Sequence, residues 1–413
     1  MTLPLSVAAN TNKIENVVIF VSDGHRFDCL PSEIQTLGLT AKAIAPSTFT
    51  ASSLPSLLTG QYPATHGVWM FDDQLQEKPP LLSSQKRDIG FNAEDVWIKL
   101  DSKDKPPLQI HRLETESTLD DLESPFTYIV HDVGPHAPYG FKNGVFDSTK
   151  EFFNEHEKRR PELVKLYQRD CHNSAERFLD LYHMLEQRDI LDSTLIVFTS
   201  DHGQCLGERV NGGRFGHGHP MCPENVEIPI VFIGAGLPAG QSYSELLSGT
   251  DIVPTLLSAQ GEQVPPEVDG VDLWQEVPRE DRKIRSDVWQ HLDLEAAGMS
   301  TELSVYAATS AWNSTGGYVF QRKSRVERFA ALLYDNLFRG YSPAWRENTS
   351  IRKCITLSQI LLSNNISYGS PNFSESEAKS VVPTEFERSP NDVESKSLSG
   401  QQEEQLRDLG YLQ

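Results

Sequence analysis

The sequence predicts an α/β protein: a doubly wound, mostly parallel sheet flanked by helices, with a small C-terminal α+β subdomain. Three stretches share one form, an apolar β-type run that ends on an aspartate. They are Val17 to Asp23, Tyr128 to Asp132, and Leu195 to Asp201 with His202 following. Short runs rich in Val and Ile read as buried strands of a parallel sheet. Ligands of open α/β sheets bind beyond the carboxyl ends of the strands. Three carboxylates gathered at one edge repel each other unless cations lie between them, so the pattern points to a catalytic metal site.

The other elements follow in order. Thr50 to Gly60 carries Ser and Thr residues suited to N-caps, with Leu54, Leu57 and Leu58 on one face and a glycine to end the helix. Thr50 then sits just before a helix N-terminus, where free N–H groups favour bound anions. Residues 75–125 are polar, with one strand expected near Ala93 to Leu100. A long helix is expected over residues 161–189, because Leu163, Tyr167, Cys171, Ala175, Phe178, Tyr182 and Leu185 recur at spacings of three or four. Ile228 to Ile233 reads as a further buried strand and Asp251 to Leu257 as a helix. The sequence divides into a catalytic domain over residues 1–280 and a small subdomain over 281–363, with strands at Val305–Ala308 and Tyr318–Arg322. A polar linker and short terminal helix occupy 364–413, the helix carrying Leu406, Leu409 and Leu412.

A chain of 413 residues is long enough for this arrangement. Its net charge of −21 argues against nucleic-acid binding through a basic face. The same field opposes an anionic substrate, so local cations must supply the attraction. The five cysteines have no framework spacing and read as free thiols. The first twelve residues make a poor secretory signal, and no stretch approaches the roughly 20 apolar residues that span a bilayer. The expected location is the cytoplasm, with no membrane or nucleic-acid partner; the sequence leaves the oligomeric state open.

Asp23, Asp201 and His202 are oxygen and imidazole ligands suited to Zn, Mn, Mg or Ca. Asp132 and His136 form a second acid-plus-imidazole pair, and His217 and His219 add two more imidazoles. Together these are enough for two divalent cations, which can clamp the attacking and leaving oxygens of an in-line displacement at phosphorus. Thr50 is the best candidate nucleophile, though a threonine there is more commonly only a cap. His131 reads as a packed neighbour rather than a ligand.

These residues resemble the sulfatase family within the alkaline phosphatase superfamily. The resemblance runs from about Asn16 to Trp274. It rests on Ala45-Pro46-Ser47 leading to Thr50, Leu57 to Pro63, His66-Gly67-Val68, Pro135 to Tyr139, Thr199 to Gly203 with Leu206-Gly207-Glu208, and Asp251 to Leu257 with Val268-Asp269-Gly270. A weaker echo lies in the final Leu-Gly-Tyr-Leu. The resemblance implies an alkaline-phosphatase-like fold and a metal held by Asp23, Asp201 and His202 beside a nucleophile at Thr50. Asp132, His136 and His217 match the second-cation pattern of the superfamily's phosphodiesterases, with His219 as the fallback. The departures are chemical. Sulfatases proper oxidise Cys or Ser to formylglycine, and a threonine, with a methyl on Cβ, cannot yield that aldehyde. The Pro-Ser-Arg that follows in those enzymes is replaced by Ser52, Ser53 and Leu54, and no Gly-Lys-Trp-His stretch lies between Gly90 and Lys105. Arg26 can contact substrate oxygens or form a surface ion pair. The expected activity is metal-dependent hydrolysis of a phosphate mono- or diester on a small anionic substrate. The alternatives are a sulfatase without formylglycine, a phospho-group transferase and a catalytically silent binding protein.

Overall fold

A computed structural model describes residues 4–9, 14–93, 96–140, 148–296, 299–338, 340–384, 386 and 393–411. The main sheet contains β1 (Asn16–Ser22), β2 (Gly38–Ile44), β3 (Asp88–Asn92), β4 (Phe126–Asp132), β5 (Thr194–Thr199) and β6 (Glu227–Gly234), in the spatial order β2-β6-β5-β1-β4-β3. Only β6 runs against its neighbours; β1 is parallel to β4 and β5, and β4 to β3. The register sets Ser22 opposite Asp132 and Val21 opposite both His131 and Thr199, so the three Asp-ended strands lie side by side in the middle of the sheet.

Both faces of β1 are covered, which is why its sequence is continuously apolar rather than alternating. Val17, Ile19 and Val21 pack into the core formed with α1 (Thr50–Thr59) and α3 (Ile252–Ala259). Val18 and Phe20 face the other way, onto Phe178, Leu181 and Leu185 of α2 (Arg160–Gln187). Each such buried side chain contributes roughly 1.5–3 kcal/mol relative to exposure. Helix α1 is buried along its whole length and ends at Gly60, whose φ of +75° is the left-handed cap that glycine adopts without strain.

Two expectations are corrected. The strand expected at Ala93 to Leu100 lies earlier, at Asp88–Asn92. Of that run, residues 94 and 95 lie outside the described residues, while Val96, Trp97 and Leu100 are buried in the core without forming a strand. The stretch expected to be a polar linker contains regular structure. Asn365–Gly369 adds a strand to an antiparallel sheet with Ile284–Ala296, Met299–Asn313 and Gly316–Gln321, and Glu375–Val381 is a helix opened by a Ser374/Glu377 capping box. Tyr368 stacked on Trp312, and Phe373 packed with Phe320, supply the burial that composition alone hid. The terminal helix α4 (Gly400–Leu409) begins on a Ser399/Gln402 capping box and buries Leu406 and Leu409; Leu412 lies outside the described residues.

Candidate active site

Strand alternation decides which predicted residues meet. Asp23 continues the odd-numbered face of β1, and His131, paired with Val21, lies on the same face of β4. Asp201 and His202 follow the end of β5. Ligand atoms of Asp23, His131 and Asp201 lie within 4.8 Å of one another, and all three residues are buried. His131 Nε2 is 3.5 Å from Asp23 Oδ2, and His202 Nε2 is 3.7 Å from Asp23 Oδ1 and 3.5 Å from Asp201 Oδ2. Gly134, with φ +55°, turns the chain after β4 against the backbone of Asp23, where an added Cβ would come within 2.3 Å of the Asp23 carbonyl oxygen.

Four buried polar atoms in this cluster have no hydrogen-bond partner: Asp23 Oδ1, Asp201 Oδ2 and both ring nitrogens of His131. Leaving such groups unsatisfied costs about 1–3 kcal/mol each, more when charged. Two carboxylates and an imidazole left open in one spot are the donor set of a divalent cation, so the residues fit a metal. The electrostatics agree. Burial acts to raise the Asp23 carboxyl, but the imidazoles of His136, His131 and His202 outweigh it and hold it below the usual carboxylate range. Asp201 is pushed up, by burial first and then by the Asp23 charge.

Thr50, the first residue of α1, is buried and places Oγ1 3.0 Å from His202 Nε2. His202 Nδ1 lies 2.8 Å from the Gly203 carbonyl, which can only accept, so Nδ1 carries a proton and in the neutral ring Nε2 is the acceptor that faces Thr50. His136 repeats the arrangement, donating Nδ1–H to the Ala137 carbonyl. Its Nε2 is 2.9 Å from His217 Nε2, and the His217 ring stacks on His202 at 4.2 Å. These imidazoles therefore line the side of the cluster next to Thr50.

Three predicted residues are placed elsewhere. Asp132 is on the even face of β4, turned toward α2. There it accepts from Arg177 Nε (2.5 Å) and Nη2 (2.7 Å), Ser174 Oγ (2.7 Å) and the Gly134 amide (2.8 Å). It is a structural anion and not a member of the cluster, because neighbouring residues of a strand face opposite ways. Arg26 is bound by Asp28 and Glu208, each within 2.7 Å. His219 stacks on Tyr306 and accepts from Arg214 Nη2 at 3.0 Å.

Two residues of this centre lie outside the predicted site residues. His131 could have been found by counting alternation from Asp23. Tyr411, beyond the terminal helix, reaches Asp23 Oδ2 at 2.5 Å and Thr50 Oγ1 at 3.4 Å, from nearly 400 residues away. Only its place in the Leu-Gly-Tyr-Leu echo marked it.

Comparison with known proteins identifies the family. The Sulfatase family profile matches residues 113–262. A relative from Haloferax volcanii, "Low-salt glycan biosynthesis sulfotransferase Agl7", is 43% identical over 414 residues, covering 100% of both chains. Arylsulfatase K of Canis lupus familiaris is 34% identical over 89 residues, 22% of this chain and 16% of that protein. Among solved structures, the phosphonate monoester hydrolase of Agrobacterium radiobacter superposes with a TM-score of 0.54 at 14% identity, covering 84% of this chain and 96% of that one. A 2-O GAG sulfatase, BT1596, gives 0.55 at 13% identity, covering 75% and 83%. At such identity these structures speak for the fold alone. With a full-length relative at 43% identity and the family profile over its centre, this chain belongs to the sulfatase family, enzymes acting on esters of sulfuric or phosphoric acid.

Proposed function

We propose that this protein transfers a sulfuryl group, breaking a sulfate ester by attack of the Thr50 oxygen and passing the group to a sugar hydroxyl or to water. The observation that carries the reading is the position of one hydroxyl: Thr50 Oγ1 lies 3.0 Å from His202 Nε2, beside a cluster of buried ligands without partners. Asp23, His131 and Asp201 are the residues that would hold a divalent cation (Zn, Mn, Mg or Ca). When bound, such an ion supplies positive charge for the oxygens on which negative charge develops. A second cation has weaker support, since Asp132 is taken up by Arg177 and leaves only His136 and His217. His202 is assigned to the hydroxyl rather than to the cation, because its Nε2 is nearer Thr50 than either carboxylate.

In this reading the N-terminus of α1 attracts the anionic group. The Thr50 proton passes to His202 Nε2 as Oγ bonds to sulfur, and the bond to the ester oxygen breaks. The departing oxygen takes a proton from the His136–His217 pair. An acceptor hydroxyl then attacks the sulfated threonine and gives its proton back to the His136–His217 pair, and Thr50 Oγ leaves with the proton held on His202. The choice of sulfuryl group and glycan is supported by the full-length similarity to a protein named as a glycan sulfotransferase. Phosphate esters are the second reading, favoured by the unmodified hydroxyl of Thr50, which suits a covalent phospho-threonine. Parallel assays with aryl sulfate and aryl phosphate, each with and without a sugar acceptor, separate the two. Thr50→Ala is expected to abolish turnover of either ester while leaving the fold intact; wild-type rates in that variant sink the nucleophile assignment.

A further inference from the structure

We infer that Tyr411 is a positioning residue of this site, so that the turn closing α4 sets the geometry of its centre. The inference rests on the reading of Asp23 as a cation ligand and Thr50 as nucleophile. The Tyr411 hydroxyl donates to Asp23 Oδ2 at 2.5 Å, and its oxygen lies 3.4 Å from Thr50 Oγ1, whose one proton faces the nearer His202 Nε2. One phenol therefore fixes the carboxylate and packs against the Thr50 oxygen, which His202 Nε2 holds at 3.0 Å.

The phenol is aimed by the helix end and not by chance packing. Gly410 adopts φ +85° at the close of α4, and the Tyr411 amide bonds back to the Leu406 carbonyl at 2.8 Å, the six-to-one bond of a Schellman turn. A Cβ at Gly410 would meet Thr149 Oγ1 at 3.0 Å, in addition to the strained φ. Helix α4 is itself fastened by Gln405, which donates to the Val96 carbonyl and accepts from the Lys99 amide, and by Lys99 to Asp408 at 2.6 Å. The Tyr411 ring lies between Phe71 (4.9 Å), His136 (4.8 Å) and Trp97 (6.0 Å), a buried aromatic wall that fixes the ring without its hydroxyl. Ring and hydroxyl thus have separable roles, and Phe at this position keeps one and removes the other.

The test uses the full-length protein and its Tyr411→Phe variant, read by Mn²⁺ titration calorimetry, by steady-state kinetics on whichever aryl ester the wild type turns over, and by melting temperature. Partners that orient a metal ligand are worth about 10–100-fold in affinity or activity. The expected result is a Mn²⁺ Kd raised about tenfold or more, kcat lowered by a similar factor, KM within about twofold, and the melting temperature nearly unchanged. Gly410→Ala, which keeps the phenol and shifts its aim, is expected to reproduce the loss of affinity, so the inference stays testable should Tyr411→Phe fold poorly. Mn²⁺ affinity and kcat both within twofold of wild type in Tyr411→Phe overturn it. If the wild type turns over neither ester, the functional reading fails while the Mn²⁺ titration still decides the role of Tyr411. A wild-type chain that binds no Mn²⁺ overturns the inference about Tyr411, and the functional reading is then decided by the ester assays alone.

Discussion

Replacing Arg177 by Met separates a structural carboxylate from a metal ligand. Asp132 is 1% exposed and receives four donors, two of them from Arg177. Arg177→Met leaves the charge buried with only Ser174 and Gly134. Removing one partner of a buried pair costs about 3–5 kcal/mol. The Arg177 side chain is 19% exposed, so water can reach part of the site and the low end, about 3 kcal/mol, is the appropriate figure. At about 2.1 cal/mol/K per residue, 413 residues give an unfolding entropy of roughly 0.9 kcal/mol/K, so the melting temperature falls by about 3 °C if unfolding is cooperative. Asp132→Asn combined with Arg177→Met is expected to recover part of the loss, because no charge is then left unpaired. Differential scanning calorimetry measures the stability and Mn²⁺ titration the site, with affinity expected within about threefold of wild type in both variants. Undiminished stability in Arg177→Met, or a Mn²⁺ affinity lost in the Asp132→Asn/Arg177→Met double variant, refutes the assignment of Asp132 to the fold.

Two further outcomes follow from the same geometry. Because Asp23, Asp201 and His131 are open ligands in the folded chain only, Mn²⁺ at 100 times its Kd adds about 2.7 kcal/mol of stability, a rise of roughly 3 °C that a chelator reverses; a melting curve indifferent to both argues against the cation site. His66 is held to about 3 by burial, with Nδ1 accepting the Val68 amide and Nε2 donating to Ser56. Its folded value lies below the unfolded one, so the stability it contributes is complete above pH 6.5 and drains as pH falls, about 2 kcal/mol by pH 5. His66→Asn is expected to flatten the fall of melting temperature between pH 7 and pH 5, and an unchanged slope contradicts the assignment.

The regular parts of the fold were legible because their signals are local. The buried runs of β1, β4 and β5 and the stripe of α2 each declare themselves within a few residues, and α1 announced both its start at Thr50 and its end at Gly60. The segment 365–381 was misread because average polarity outweighed two local cues, Tyr368 within the strand and the Ser374/Glu377 box that starts the helix.

The sequence by itself determined the family, the sheet, and the gathering of Asp23, Asp201, His202, His136 and His217 around Thr50, since each lies at or near a strand end or a helix start. Tertiary structure decided which neighbours turn inward. The pleat of β4 sends His131 to Asp23 and Asp132 to Arg177, a difference of one residue that composition cannot express. It also decided that a tyrosine at the far end of the chain joins the centre, because a contact between positions 23 and 411 depends on how α4 docks and leaves no periodic trace in the residues between them.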